Sequence, residues 1–376
     1  MRTKKIKLSK SSLGEEESTA VLGVLEREYL GMGAEVQQFE QLLEKFFNRQ
    51  VVCVVNGTAA LHIALQSIGL EFGDEVLVQS ITYLASFQAI SAVGAKPVAC
   101  DIDRQTMTIN LADAEKRLTP RTKAIMPVHY SGGVGNLDEV YSFAEKNKLR
   151  VIEDAAHAFG TKFQSEIVGS FGDIACFSFD GIKNITSGEG GCIVTDDKKV
   201  LDIARDIRLL GVEKDTAKRY DLNRSWSFDV HLQGWRYHMS NIMAAIGIEQ
   251  LKKFTKFKTK RQELAHAYSN KLENITEIDY IRHDYKDVVP HIFPIILPLG
   301  TDREKLRHEL LGSGIETGIH YQPNHKLSLY RKHTEPLIVT DLLADRLLTL
   351  PLHPDMNIED VNFVVSSLSD SLPRFY

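Results

Sequence analysis

Apolar residues along this chain fall into short unbroken runs, separated by stretches in which they recur every three or four positions. The runs at residues 51–55, 75–78, 97–100, 124–128, 150–152, 174–179 and 192–195 have few polar interruptions, the pattern of strands buried on both faces. Between them, residues 35–47, 59–68, 137–147 and 200–209 carry the spacing of amphipathic helices. Strands alternating with helices predict an α/β fold whose seven candidate strands form one sheet. A small-residue helix begins at Asn241 and passes into a charged, amphipathic stretch at 256–273. Beyond it come an apolar run at 292–297, a helix expected at 301–311 and a terminal helix from Asn357. The expected organisation is a large domain over 1–255 and a smaller α+β domain over 256–376. No internal repeat or low-complexity segment interrupts it.

Composition narrows the function classes. A chain of 376 residues, 43% hydrophobic and 25% charged, can bury a large core. Its 45 basic and 50 acidic residues give a net charge of −5, which argues against binding a nucleic-acid backbone. No apolar run is long enough to cross a bilayer. The start at residues 1–7 is basic but lacks the apolar core of a signal peptide. The 4 cysteines, Cys53, Cys100, Cys176 and Cys192, lie in or beside strand-like runs and form no CxxC pair. They read as reduced core residues of a cytoplasmic protein.

Candidate chemistry gathers in four segments. In the first, Lys183 stands between the apolar run ending at Phe179 and the turn Ser187-Gly188-Glu189-Gly190-Gly191. A lysine held on such an edge can condense with an aldehyde, although an isolated lysine beside a hairpin is commonplace. In the second, the run at 51–55 leads into Asn56-Gly57-Thr58-Ala59, a tight turn and a helix start. The free N–H groups there, with the Thr58 hydroxyl, suit a phosphate as well as they suit a plain N-cap. In the third, the strand at 150–152 runs into Glu153-Asp154-Ala155-Ala156-His157. Ligands of open α/β sheets bind at such carboxyl ends, so Asp154 is open to a metal, a ribose, a protonated ring nitrogen or a helix cap. His157 has no second His or Cys at ligand spacing, and no metal site is expected. The fourth is a polar, aromatic loop at 234–240 that precedes the helix from Asn241, with Ser240 as its expected N-cap.

In this order and spacing the four segments resemble the sugar aminotransferases of the DegT/DnrJ/EryC1/StrS group. These are pyridoxal 5′-phosphate (PLP) enzymes of the aspartate aminotransferase fold, fold type I, with a seven-stranded mixed sheet in the large domain. The likeness runs from Gly31-Met32-Gly33-Ala34-Glu35-Val36 through Pro127-Val128-His129-Tyr130-Ser131-Gly132 to Pro351-Leu352-His353-Pro354. It implies that Lys183 holds PLP covalently and that Asp154 pairs with the pyridine nitrogen. It places His157 beside the ring oxygen and Tyr83 on the ring face. Gly57, Thr58 and Ala59 would bind the phosphate at the helix start, with Ser178 on its other side. Gln88 falls where the family commonly has Asn. The family usually reads Gly-Tyr-Asn-Tyr-Arg-Met-Ser at 234–240, with the Asn reaching the phosphate of the second subunit's site. Here Arg236 replaces that Asn and His238 replaces the Arg. An arginine still donates to phosphate. Gln88, Glu189, His238, His320, Tyr321 and His325 are candidates for the substrate side, with simple packing as the alternative for His238 and packing between domains for the last three.

The reaction so implied moves an amino group from a donor, L-glutamate by family analogy, to a keto group of a nucleotide-linked deoxy sugar. The product would be an amino sugar for a surface polysaccharide or a glycosylated product, made by a homodimer with shared active sites. Sugar dehydratases of the same group carry His in place of the lysine, so Lys183 opposes that alternative. A non-catalytic regulatory protein would give Lys183 and Asp154 no reason to coexist. A dinucleotide-dependent oxidoreductase lacks its Gly-x-Gly-x-x-Gly here.

Overall fold

The computed structural model describes residues 5–223, 225–331 and 335–376; the first four residues of the basic start and Arg224 of the loop after 210 lie outside them. The large-domain strands are β1 (Val51–Val54), β2 (Glu75–Gln79), β3 (Lys96–Cys100), β4 (Thr122–Met126), β5 (Arg150–Asp154), β8 (Ile174–Ser178) and β9 (Gly191–Val194), with a small hairpin of β6 (Lys162–Phe163) and β7 (Glu166–Ile167) between β5 and β8. The seven expected strands form one sheet in the order β1-β9-β8-β5-β4-β2-β3. Only β9 runs antiparallel to its neighbours, pairing Cys53 with Cys192 on one side and Phe177 with Cys192 on the other. Helices cover both faces. They are α1 (Glu15–Glu26), α2 (Ala34–Phe47), α3 (Gly57–Ser67), α4 (Leu84–Ala92), α5 (Leu111–Lys116), α6 (Leu137–Asn147), α7 (Lys198–Ile207) and α8 (Asp215–Tyr220).

Alternation along each strand explains the unbroken apolar runs. Val51 and Cys53 enter one core with Phe39, Phe47 and Phe177, while Val52 and Val54 enter a second with Leu61, Ile63 and Val200. Both faces of the sheet are therefore dry. All four cysteines are buried and unpaired.

The division expected at residue 255 falls inside one continuous helix, α9 (Asn241–Leu272), capped at its start by the Ser240 side chain. Its first half, through Ala244, Ile248 and Phe254, packs on the large-domain core. Its second half, through Leu264, Ala265, Tyr268 and Leu272, packs on the small sheet of β10 (Asp279–Tyr280), β11 (Phe293–Ile296) and β12 (Leu347–Leu350). The rest is helical: α10 (Arg303–Gly312), α11 (Ile338–Ala344) and α12 (Ile358–Ser371). The chain start also crosses over, with Ile6 bridging Ile315 and lying in the small core. Among the described residues no helix is long and apolar enough to cross a membrane.

A buried ion pair ties the outer strand to the helices that follow the sheet. Arg208 is fully enclosed and its Nη1 donates to Glu40 Oε1 at 2.5 Å and to the Cys53 carbonyl at 2.6 Å. Glu40 also accepts from the Cys53 amide at 2.7 Å and from the Tyr220 hydroxyl. Removing the guanidinium would strand the carboxylate without its counter-charge. Arg208→Met is therefore expected to cost about 3–5 kcal/mol, read as a lowered urea midpoint with an unchanged m-value; a midpoint within experimental error of the parent would show that the pair adds nothing.

Candidate active site

The carboxyl ends of β5 and β8 and the amino end of α3 enclose a cavity of about 400 Å³. This is where an open α/β sheet presents groups to a ligand. Asp154 ends β5 and is almost enclosed; its Oδ2 accepts from Ser86 Oγ at 2.7 Å and its Oδ1 from the Ala156 amide at 3.2 Å. Ser178 ends β8, and its hydroxyl lies against the start of α3. A Cβ on Gly57 would stand 2.8 Å from Ser178 Cβ, so the helix start and the strand end meet this closely only because residue 57 is glycine. Asn56 caps α3 by accepting the Ala59 amide at 2.8 Å. That leaves the Gly57 and Thr58 amides, the first two of the helix, without an intrahelical acceptor.

Lys183 lies in the connection from β8 to β9, and its amine approaches His291 Nε2 at 3.4 Å. Burial pushes this amine down to about 8; Asp154 and then Asp180 act the other way, and the Arg261 charge adds a smaller push down. Three imidazoles surround it. His157 and His291 stack with centroids 4.4 Å apart, and burial holds both well below the ordinary histidine range, aided by Lys183. His320 is pushed down to about 4 by the same causes. His157 Nε2 pairs with the Tyr321 hydroxyl at 2.9 Å, and His320 Nδ1 with Thr349 Oγ1 at 2.9 Å. The Nδ1 atoms of His157 and His291 have no partner.

Of the residues singled out in the sequence, Gly57, Thr58, Tyr83, Asp154, His157, Ser178, Lys183, Glu189, His320 and Tyr321 line this cavity together. Five do not. Ala59 is buried and its amide is spent on the Asn56 cap. Gln88 points outward from α4, because the turn that faces β5 brings Ser86 inward instead. His325 joins Ser80 at 2.7 Å to Asp341 at 3.2 Å and so packs the small domain on the end of β2. Arg236 is exposed opposite Leu209, and His238, half-buried, pairs in backbone register with Val54. Among the described residues no cluster of His, Cys, Asp or Glu is placed to hold a metal ion.

Two site residues were missed. Ser86 had a weak signal, being three positions beyond Tyr83 at the start of a helix. His291 had none, since it meets Lys183 across 108 positions through tertiary folding alone.

The sequence pattern of the DegT/DnrJ/EryC1/StrS aminotransferase family matches residues 11–369. An uncharacterized protein of Methanocaldococcus jannaschii, MJ1066, is 34% identical over 370 residues, 95% of each chain. Helicobacter pylori PseC, an aminotransferase involved in the biosynthesis of pseudoaminic acid, superposes with a TM-score of 0.91 at 26% identity, covering 99% of this chain and 100% of that one. The PLP form of Spr1654 from Streptococcus pneumoniae, described as a putative sugar aminotransferase, superposes with a TM-score of 0.91 at 25% identity over 98% and 99% of the two chains.

The Lys183 environment predicts a pH profile. Burial disfavours the charged form, so the neutral fraction should rise tenfold per pH unit below about 8 and level off above it. Brief acetylation at a series of pH values, followed by peptide mass spectrometry of Lys183, measures this. A rate still climbing tenfold per unit at pH 10 would mark an ordinary, hydrated lysine.

Proposed function

The chain belongs to the DegT/DnrJ/EryC1/StrS aminotransferase family, and from that premise we propose how its own residues carry an amino group to a keto sugar. It is a sugar aminotransferase and PLP is its cofactor. The residues present fit that group. The Gly57 and Thr58 amides at the start of an eleven-residue helix form an anion cradle, the Ser178 hydroxyl faces it, and the glycine leaves it open. A buried amine and a buried carboxylate border the same space.

One observation carries the proposal: Lys183 and Asp154 line one cavity, the first as an amine with no ion-pair partner among the described residues and the second as a carboxylate aimed into it. When bound, PLP supplies an aldehyde that condenses with amines and a conjugated ring that takes up negative charge. Lys183 Nζ would hold the cofactor and, when free, would carry the proton leaving the donor's α-carbon. Asp154, oriented by Ser86 and the Ala156 amide, would keep the ring nitrogen protonated. The N-terminus of α3, Thr58 and Ser178 would bind the phosphate. His157, paired with Tyr321, would face the ring, and neutral imidazoles at 157, 291 and 320 would add no charge that competes for the phosphate.

The cradle is short of cation. Lys183 is the only lysine lining the cavity, and no arginine lines it among the described residues. We assign the missing charge to Arg236 of a second copy, whose guanidinium lies outside its own chain's cavity. The segment that carries it supports this, because Leu222, Trp226, Phe228, Val230 and Leu232 are all exposed, Trp226 at 90%. Exposed large apolar side chains gathered in one segment suit a surface that a partner covers. A nucleotide-linked sugar would enter past Tyr83, which is 61% exposed at the rim, and L-glutamate is the proposed donor.

Absorbance spectra before and after adding L-glutamate test the assignment. The band of the lysine-bound cofactor should give way to that of pyridoxamine phosphate, and Lys183→Ala should lower turnover by at least about 10²–10⁴-fold. No cofactor band after PLP is supplied would sink the Lys183 role; an unmoved band would sink the glutamate donor. For the shared site, Lys183→Ala and Arg236→Ala chains should each be impaired alone and should recover activity in one of the two sites when mixed. No recovery in a demonstrated mixed dimer counts against sharing.

A further inference from the structure

Arg261 lies in the middle of α9 and is 1% exposed. Among the described residues its Nη1 and Nη2 meet only main-chain carbonyls, and its Nε has no partner. Nη1 donates to His291 at 3.0 Å, Leu352 at 3.3 Å and Pro290 at 3.4 Å, and Nη2 to Ile182 at 3.4 Å. Burial pushes it down to about 10, which leaves it charged at neutral pH, and no carboxylate contributes. A buried cation without an anion is rare and costly, so what it holds matters. Ile182 immediately precedes Lys183. His291 is the residue whose imidazole meets the Lys183 amine at 3.4 Å. Leu352 follows β12 of the small sheet. One guanidinium therefore joins the segments that carry the two partners of that contact and anchors them to the small domain.

We propose that Arg261 is a positioning residue for the transfer: it clamps the Lys183 and His291 segments together and, having no anion to cancel it, supplies a fixed positive charge that adds to burial in favouring the neutral Lys183 amine. The choice of ligands separates this from a plain structural clamp. The carbonyl dipoles that take up the Nη1 and Nη2 donors carry no net charge, and Nε has no partner among the described residues, so nothing there cancels the field of the guanidinium at the neighbouring amine. A carboxylate in the same place would have removed it. A cation beside a lysine is one of the two established ways to free an amine for imine chemistry, and burial is the other; this chain uses both. The groups facing Lys183 are the carboxylates of Asp154, Asp180 and Glu189, the phenols of Tyr83 and Tyr321, and the imidazoles of His157, His291 and His320. The imidazoles are held neutral, so against the carboxylates Arg261 is, among the described residues, the one fixed cation that acts on Lys183.

The inference rests on Lys183 as the reacting lysine, and it is tested without cofactor. Arg261→Gln keeps an N–H donor and loses the charge; Arg261→Lys keeps the charge and loses the fork. The Lys183 acetylation profile of the full chain is measured for each, with circular dichroism to establish folding. The glutamine variant should move the midpoint up by roughly one pH unit, about tenfold in proton affinity, as a single charge does at a buried site. The lysine variant should stay within about twofold of the parent. A folded glutamine variant with an unmoved midpoint overturns the proposal, as do equal shifts in both variants. Where the glutamine variant does not fold, the lysine variant decides: an unmoved midpoint supports the role of charge, and a midpoint shifted up by a unit overturns it. A midpoint at the ordinary lysine value in the unaltered chain overturns it with no variant at all. Failure of the spectral test would instead sink the function and leave this electrostatic result standing.

Discussion

The site depends on one unfavourable act: the Lys183 ammonium is taken out of water and given no carboxylate to pair with. Asp154 and Asp180 lie close enough to favour the charged form, yet burial outweighs them and the amine is pushed down to about 8. Such a group stays in place only if the surrounding chain is fixed by interactions that do not involve its charge. The structure supplies them. The Lys183 amide bonds the Asp180 carbonyl at 3.1 Å, Thr186 Oγ1 bonds the Phe179 carbonyl at 3.2 Å, and the Phe179 amide bonds the Gly190 carbonyl at 2.7 Å. The connection is held as a folded turn by its own backbone, and the amine is left to its chemistry.

That turn exists because β9 is antiparallel in a sheet that is otherwise parallel. A parallel connection from β8 would have left the carboxyl edge at once through a crossover. The antiparallel return keeps residues 179–190 on the edge where β5 delivers Asp154 and where α3 begins. Packing is close at this point. A Cβ on Gly191 would lie 2.7 Å from the Asn56 carbonyl and from the Phe177 carbonyl, and one on Gly57 would strike Ser178. The helix start, the strand end and the lysine turn are thus locked into one unit by two glycines. The phosphate cradle and the amine cannot drift apart without opening the sheet.

Much of this was legible in the chain. Seven apolar runs marked the sheet, since a strand buried on both faces needs no polar alternation, and the carboxylates of Glu153 and Asp154 marked the end of β5. The glycine at 57 and the lysine at 183 were visible for the same reason, being polar or conformational exceptions at the ends of such runs. What could not be read was set by contacts far apart in sequence. Gln88 and Ser86 differ by about 200° around α4, and only docking of the helix on β5 decides which faces Asp154. His325 and His320 stand in one aromatic, polar segment, yet one secures Ser80 and the other borders Lys183. The sequence turns charged near residue 255, and there one continuous helix passes from the first core, at Phe254, to the second, at Leu264; the continuity of the backbone was not legible in the charge pattern.

The two buried arginines show how the same side chain serves opposite ends. Arg208 is matched by Glu40, and burial lowers its charged form less than that carboxylate and Tyr220 raise it. Its field is cancelled locally, and what remains is a tie between α2, β1 and the helices beyond the sheet. Arg261 is matched by four carbonyls and no carboxylate, and its charge is held where Lys183 and His291 feel it. If α9 needed only a clamp between the domains, a paired arginine would serve at lower cost, as Arg208 does elsewhere in the same molecule. The unpaired form stands where a reactive amine is near, and carbonyl ligands take up the Nη1 and Nη2 donors without giving up the field.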